Sequence, residues 1–518
     1  MASKFDLHRH WTRLTGNRAN KATLLTGLVL LSVFALFMGL TQFSTPNLPG
    51  NDGFYHIKMA YLMRTEGLKP NFPWLPLTIL NAREFYNHHF LFHVLLIPFT
   101  FGDLLIGAKL SAVVFSVVAF WLVWRLIDRQ KVPYAAVWAL GLVAVSEAFI
   151  FRMSIPRAQS LSLGVLALGL DWLLSGKHKR LFFLGFIYVW LYNAFPLLLV
   201  VAGAYTLAVW LIDKRLDLWP LLFSGLGIAA GLLINPYFPY NLAFIFQHIL
   251  PKLVDTTGTN VGNEWFPYTT QQLLRNSPLT LALFASAVLA LGLSKQRMSV
   301  NTATGFFLTI IFGLMLFQSR RFIEYFPAIV LIFTAFAWSP MMIEIKDKAH
   351  ERSWTMTRIW QRKLVQNLAL LVLVVIMLPM AWKTLVDSQS SLQSTKQNQL
   401  FQGASAWLVE NTPAGARVFQ TDWDDFPRLF FYNTHNTYLV GLDPTYMQFY
   451  DADLYAVWVD ITRGRVENPS RIIEDNFGAE YILSDLSKRG FLGQAADDVR
   501  LQEVYRDAEA VIFQVIDL

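Results

Sequence analysis

Long apolar runs, separated alternately by short basic connections and by longer polar ones, set the frame of this chain. A helix needs about 20 apolar residues to cross a bilayer, fewer where neighbours shield its ends. On that criterion spans are expected at 23–43, 105–125, 134–151, 159–175, 180–195, 197–212, 218–234, 278–294, 302–318, 322–342 and 364–383. The pair 180–195 and 197–212 is one apolar run broken at Tyr192-Asn193-Ala194-Phe195-Pro196. The stretch from Phe90 to Phe101 is apolar but too short to span, and is expected to lie along the interface. From about residue 384 the hydropathy falls to that of a soluble domain. Strand-like runs at 417–421, 437–441, 481–484 and 511–516 alternate there with helical ones at 398–410, 427–432, 454–462 and 470–477, which reads as a small α/β domain.

Charge tests this threading independently. Basic residues gather in the tail (Lys4, Arg9, Arg13, Arg18, Lys21) and in every second connection after it: Arg125, Arg129 and Lys131; Lys177, Lys179 and Arg180; Lys214 and Arg215; Lys295 and Arg297; Lys346 to Lys363. Positive connections stay in the cytoplasm, so the N-terminus is expected inside. The connections 44–88, 152–158, 192–196, 235–277 and 318–321 then face outward, with everything after 384. The first apolar run is too long for the core of a cleaved signal and lacks a cleavage site, so it reads as a retained span. The expected architecture is a mainly α, multi-pass protein of the inner or plasma membrane with about 11 transmembrane helices. It has a membrane part at 1–383, long outer loops at 44–88 and 235–277, and an extracytoplasmic α/β domain at 384–518.

Composition agrees. Of the 518 residues 54% are hydrophobic and 15% charged, a balance that excludes an ordinary soluble protein. The net charge of +7 is accounted for by the basic connections, so no nucleic-acid partner is expected. Cysteine is absent, which excludes disulfides and thiol chemistry.

The unusual polar residues collect on the outward face. Asn51-Asp52-Gly53-Phe54-Tyr55-His56 follows the first span and opens a short helix. A cap on that helix is the ordinary use for Asn or Asp there; the other is chemistry. Arg152, Arg157, Arg320 and Arg321 sit in very short connections on the side that positive charge avoids. Guanidinium grips phosphate bidentately; snorkelling to lipid headgroups, or for Arg320-Arg321 an ion pair with Glu324, are the plainer readings. His89 and His93 are four apart with His88 adjoining, a spacing that suits either a metal or interfacial contacts. Glu264, ahead of Trp265 and Pro267, is a loop acid. Together with Asp52 it could converge over a cavity, one acid acting as base or metal ligand and the other orienting it.

In this layout the chain resembles the GT-C class of membrane glycosyltransferases, and within it the catalytic subunit of oligosaccharyltransferases. Asn51-Asp52-Gly53-Phe54-Tyr55-His56 is similar to that family's first-loop acid, which binds a metal or assists the acceptor. Gly262-Asn263-Glu264-Trp265 stands where the family has a mobile-loop motif ending in Glu, and Arg320 or Arg321 matches a span-end arginine that contacts carrier phosphates. Asp422-Trp423-Asp424-Asp425-Phe426-Pro427 resembles a degraded Trp-Trp-Asp-Tyr-Gly acceptor motif, without its first Trp and its Gly. The family's Asp-x-Asp pair is missing: Arg152 to Ser160 occupies its place.

The resemblance implies transfer of a sugar or oligosaccharide from a polyprenyl-phosphate or polyprenyl-diphosphate carrier to a protein or glycolipid acceptor, amid membrane lipids. Asp52 and Glu264 are the implied catalytic acids, Arg152, Arg157, Arg320 and Arg321 the donor-phosphate site, and Trp423, Asp424 and Asp425 the acceptor site. A divalent cation, Mg or Mn, is the implied cofactor, with Asp52, Glu264, His88 and His89 as its ligands; the missing acidic pair argues against it. The rivals are a lipid-linked sugar transporter or flippase, which would place ionisable groups near mid-membrane, and a non-enzymatic membrane assembly protein.

Overall fold

Helix occupies each apolar run expected to span, as far as residue 347, in a computed structural model that describes residues 3–249, 262–347, 375 and 377–517. The chain runs through α1 (Ser3–Gln42), α2 (Asp52–Glu66), α3 (Phe90–Leu96), α4 (Leu104–Arg129), α5 (Ala135–Leu140), α6 (Glu147–Ser154), α7 (Gln159–Leu174), α8 (Arg180–Leu191), α9 (Leu197–Asp213) and α10 (Trp219–Leu233). Further helices follow at Pro278–Leu293, Val300–Gln318 and Phe326–Asp347. The run 364–383 and the loop 235–277 fall partly, and the connection 348–363 wholly, outside the described residues.

Four of these helices are long and apolar enough to cross a membrane, or six if two bent pairs each count as one span. Together with exposed apolar side chains such as Leu24, Leu25 and Leu28 along α1, they mark a membrane protein. The expected continuous span at 134–151 is instead one of the bent pairs, folded by 79° between Val143 and Glu147. After the break the helix restarts as α6, capped by Ser146, whose hydroxyl accepts from the Phe149 N–H. Helices α7 to α10 have 12–17 residues, shorter than a full span. Glycine lets two of them touch: a Cβ on Gly227 of α10 would lie 2.1 Å from the Phe182 carbonyl of α8.

The C-terminal part is built on a five-stranded sheet of order β2-β1-β3-β5-β4. The strands are β1 (Arg417–Gln420), β2 (Thr437–Tyr438), β3 (Tyr481–Asp485), β4 (Leu501–Arg506) and β5 (Ala510–Val515). β1 pairs parallel with β2 and β3, while β5 runs antiparallel to both β3 and β4. Edge strand β4 was absent from the sequence reading. It is half-exposed, and its Glu503 and Arg506 bond each other, a surface pattern that reads like a loop.

This part clamps the segment after α1. The Leu48 N–H donates to Asn398 Oδ1 (2.8 Å), and Asn398 Nδ2 returns to the Pro46 carbonyl (2.9 Å). Further along, Tyr438 N–H reaches the Trp74 carbonyl and Ile79 N–H the Tyr446 carbonyl. Tyr55, Phe72, Phe85, Val418, Phe426 and Phe430 share one buried cluster. Each aromatic ring fully buried there contributes roughly 1.5–3 kcal/mol, so the C-terminal part helps to hold α2 through Tyr55.

Candidate active site

Asp52 is the first residue of α2, and neither it nor Asn51 caps the helix. Asn51 already has helical backbone angles, and its amide bridges across to the C-terminal part: Nδ2 donates to Asp424 Oδ2 (2.7 Å) and Oδ1 accepts from Arg428 Nε (2.9 Å). Asp52 Oδ2 receives Arg157 Nε at 2.9 Å. The capping expectation fails because charged partners lie within reach, and charge-assisted bonds outcompete a cap. Gly53 allows this closeness, since a Cβ there would stand 2.9 Å from Leu48 Cδ2 and 3.1 Å from Pro156 Cγ. Arg157 is thereby brought onto Asp52 by the turn that follows α6.

A cavity of about 930 Å³ opens at this point. Its walls come from the start of α2, the end of α6 with its following turn, the α8–α9 junction, the turn Asn263–Trp265, residues 394–396, and the Asp422–Asp424 turn. On one wall three guanidiniums converge on Glu264. Arg152 Nη2 lies 2.9 Å and Arg157 Nη1 3.2 Å from its Oε2, and Arg321 Nη1 lies 3.2 Å from its Oε1. Arg321 also donates to the Tyr192 hydroxyl (2.7 Å), and Arg152 to the fully buried Glu324 (Nε to Oε1, 2.7 Å). Burial opposes the charge on Glu264, but Arg157, Arg321 and Arg152 outweigh it and hold its carboxyl well below the usual range.

Arg320 is not in this group. Its guanidinium bonds the Phe266 and Pro267 carbonyls, away from the cavity. The expected pairing of Arg320-Arg321 with Glu324 is likewise replaced by Arg152, which α6 delivers from 172 residues away in sequence.

The histidines form a buried stack beside Asp52. His56 and His93 share a hydrogen bond of 2.8 Å (Nδ1 to Nε2), and His93 Nδ1 meets Asn87 Oδ1 at 2.8 Å. His89 stacks on Tyr192 and His88 on Phe244. Burial, and then His93, Arg157 and His88, hold the His56 imidazole well below its usual range, so it is neutral at neutral pH. A divalent cation does not fit this donor set. Among the described residues no three His, Asp or Glu are grouped to share an ion. Of the expected ligands, Asp52 and Glu264 are engaged by guanidiniums, and His88 and His89 lie in the ring stack.

Trp423 and Asp424 line the same cavity, whereas Asp425 is buried, with Oδ2 lacking a hydrogen-bond partner. Burial first, then the charges of Asp52 and Asp422, push the Asp424 carboxyl up to about 7. The folded protein therefore keeps a proton on Asp424 that the unfolded chain releases. The stabilisation is complete below the ordinary carboxylate range and is lost as pH rises through about 7. Asp424→Asn should remove this dependence, raising stability above that pH by roughly 1–2 kcal/mol relative to the parent, after allowance for solvent at the cavity wall. Thermal midpoints in detergent at about pH 5 and about pH 8.5 check it; parallel behaviour of the two proteins would contradict it. Tyr192, Lys396 and Arg428, all at the cavity, were not among the expected site residues.

No protein-family profile matches the chain, and no curated protein sequence does. Solved structures do. The oligosaccharyltransferase AglB from Archaeoglobus fulgidus, in complex with an inhibitory peptide and a dolichol-phosphate, superposes with a TM-score of 0.64 at 14% identity, over 91% of this chain and 71% of that one. ArnT from Cupriavidus metallidurans, bound to undecaprenyl phosphate, gives 0.58 at 14% identity, over 94% and 97%. The mycobacterial arabinofuranosyltransferase AftD gives 0.52 at 14% identity, over 93% and 41%. The fold expected from the sequence, that of GT-C glycosyltransferases, is therefore the fold of this chain.

Proposed function

We propose that this chain is a membrane glycosyltransferase that moves a sugar from a polyprenyl-linked phosphate carrier to an acceptor outside the cytoplasm. The observation that carries the reading is the meeting of Arg152, Arg157 and Arg321 beside Asp52, in one cavity faced by Asp424. The two phosphate carriers in the related folds, dolichol-phosphate and undecaprenyl phosphate, supply its chemical class.

In this reading the carrier phosphate lies against the three arginines, and Arg321 is aimed by the Tyr192 hydroxyl. Asp52 accepts the proton of the acceptor nucleophile as the bond from that nucleophile to the sugar's anomeric carbon forms. The bond from the same carbon to the phosphate oxygen breaks, and the electron pair leaves on the phosphate. The guanidiniums stabilise the charge that appears there, in a wall already oriented to receive it. Asp424, tied by Asn51 to the start of α2, and Trp423 position the acceptor; Asp425 acts only by supporting that turn. No step is routed through a metal.

The finer topology belongs to the same reading: eleven spans, a cytoplasmic N-terminus, and both 44–88 and 384–518 outside, with 1–383 as the membrane unit. Labelling of single cysteines placed in the cysteine-free chain checks the sidedness. The activity itself is tested by supplying detergent-purified protein with polyprenyl-linked sugars and an acceptor extract and following release of the free carrier. Carrier flipping in proteoliposomes without release would favour a transporter and end this reading.

A further inference from the structure

Glu264 is bound more richly than an ion pair requires. Three guanidiniums surround one carboxylate that has only two oxygens, two of them sharing Oε2. Three donors arranged around one point suit a tetrahedral anion with several oxygens better than a planar one. We propose that the Glu264 side chain holds the donor phosphate's place, and that the anion which displaces it is a singly charged phosphodiester, the linkage of a polyprenyl monophosphate sugar, not a diphosphate. This rests on the glycosyltransferase reading above and narrows its donor.

The partners of each arginine decide the charge. Arg152 keeps Glu324, which is fully buried and cannot follow a ligand. Arg157 keeps Asp52. Arg321 has the Tyr192 hydroxyl, which is neutral, and the ring of Trp265. When the Glu264 carboxylate turns away, three positive charges face two negative ones and a single charge is left to be matched. A sugar phosphodiester supplies one negative charge and restores the balance. A diphosphate diester brings a second, which must be desolvated against Asp52 and Glu324 with no further cation paired there among the described residues. Lys396 does not supply it. It lines the same cavity, but its charge acts on Asp424 and Asp425, while Glu264 is held by Arg157, Arg321 and Arg152. Arg428 is committed to Asn51 and the Gln397 carbonyl.

The displacement needs no movement of the backbone. Ser319 Oγ donates to the Glu264 carbonyl (2.9 Å), and the Arg320 N–H to that of Phe266 (3.0 Å), which anchors the turn while the carboxylate, a quarter exposed, borders the cavity. The same balance favours turnover. The leaving carrier phosphate gains its second charge only as the glycosidic bond breaks, in a pocket from which the competing carboxylate has been expelled.

Two sugar-free probes separate the possibilities: undecaprenyl methyl phosphate, with one charge, and the methyl ester of undecaprenyl diphosphate, with two. Binding to the detergent-purified full chain is read by native mass spectrometry. The wild type should bind the monophosphate probe at least about tenfold more tightly. Glu264→Gln, which removes the competitor and leaves the arginines, should tighten that probe by a further factor of about ten. Weaker binding by a folded Glu264→Gln protein would overturn the placeholder role. A preference of the wild type for the diphosphate probe would overturn the donor class while leaving the glycosyltransferase reading intact, and this comparison stands even if the variant does not fold. If neither probe binds the wild type, the donor site is not at these arginines, and the proposed function falls together with this inference.

Discussion

Asp52→Asn should lower the turnover number for sugar transfer about a thousandfold, within the range for removing a general base, while KM for the donor changes only a few-fold. The amide is the same size and its oxygen can still accept from Arg157 Nε, so the ion-paired start of α2 should survive and the protein should remain folded. What is lost is the ability to take a proton in the cavity that the donor arginines and Asp424 line. A matching fall in donor affinity would instead show that Asp52 only aligns Arg157. A metal chelator should leave wild-type turnover unchanged. If it abolishes turnover as Asp52→Asn does, Asp52 is a ligand and the mechanism above is wrong.

Arg157→Lys is expected to be nearly as damaging as Arg157→Ala. Arg157 bridges Asp52 through Nε and Glu264 through Nη1, two directions fixed by one planar group. An ammonium keeps the charge but cannot span both partners. Loss of its bond to the departing phosphate should cost about 2–4 kcal/mol, roughly 30- to 1000-fold, felt mainly in kcat because the contact strengthens as charge develops. A headgroup-binding arginine behaves differently: Lys substitutes freely, and Ala alters only detergent stability. Retention of turnover in Arg157→Lys, with the same result at Arg152 and Arg321, would move the donor site elsewhere.

The helical layout was legible because apolar side chains facing lipid must come in long runs. The break inside the run 134–151 has a local cause. Ser146, one small polar residue in an apolar run, caps the helix that restarts after the 79° bend without altering the hydropathy around it. The short outer arginine connections were recognisable as unusual, but their partners were not. Arg152 meets Glu324 and Glu264 across 172 and 112 positions, and nothing in local spacing announces such pairs. Arg320 and Arg321 look equivalent in sequence. They diverge because they sit on a single tight turn, which sends one guanidinium to backbone carbonyls and the other to Glu264. The Asp424 environment was hidden for the same reason: its neighbours Asn51 and Asp52 lie at the other end of the chain.

The bond from Leu48 to Asn398 joins residues 350 positions apart, and it has a consequence for how the protein is made. At about 5–20 residues per second a ribosome needs roughly 20–70 s to travel that distance. For most of that interval Phe72, Trp74 and Phe85 have been made, while the partners that bury those rings, Phe426 and Phe430 among them, have yet to be synthesised. A nascent chain arrested before residue 398 would hold Arg152, Arg157 and Arg321 but would lack Trp423 and Asp424, which line the same cavity. Until the C-terminal part is made, Phe72 and Trp74 lack the rings that bury them, so an unfinished chain differs from a finished one by an aromatic surface without its cover.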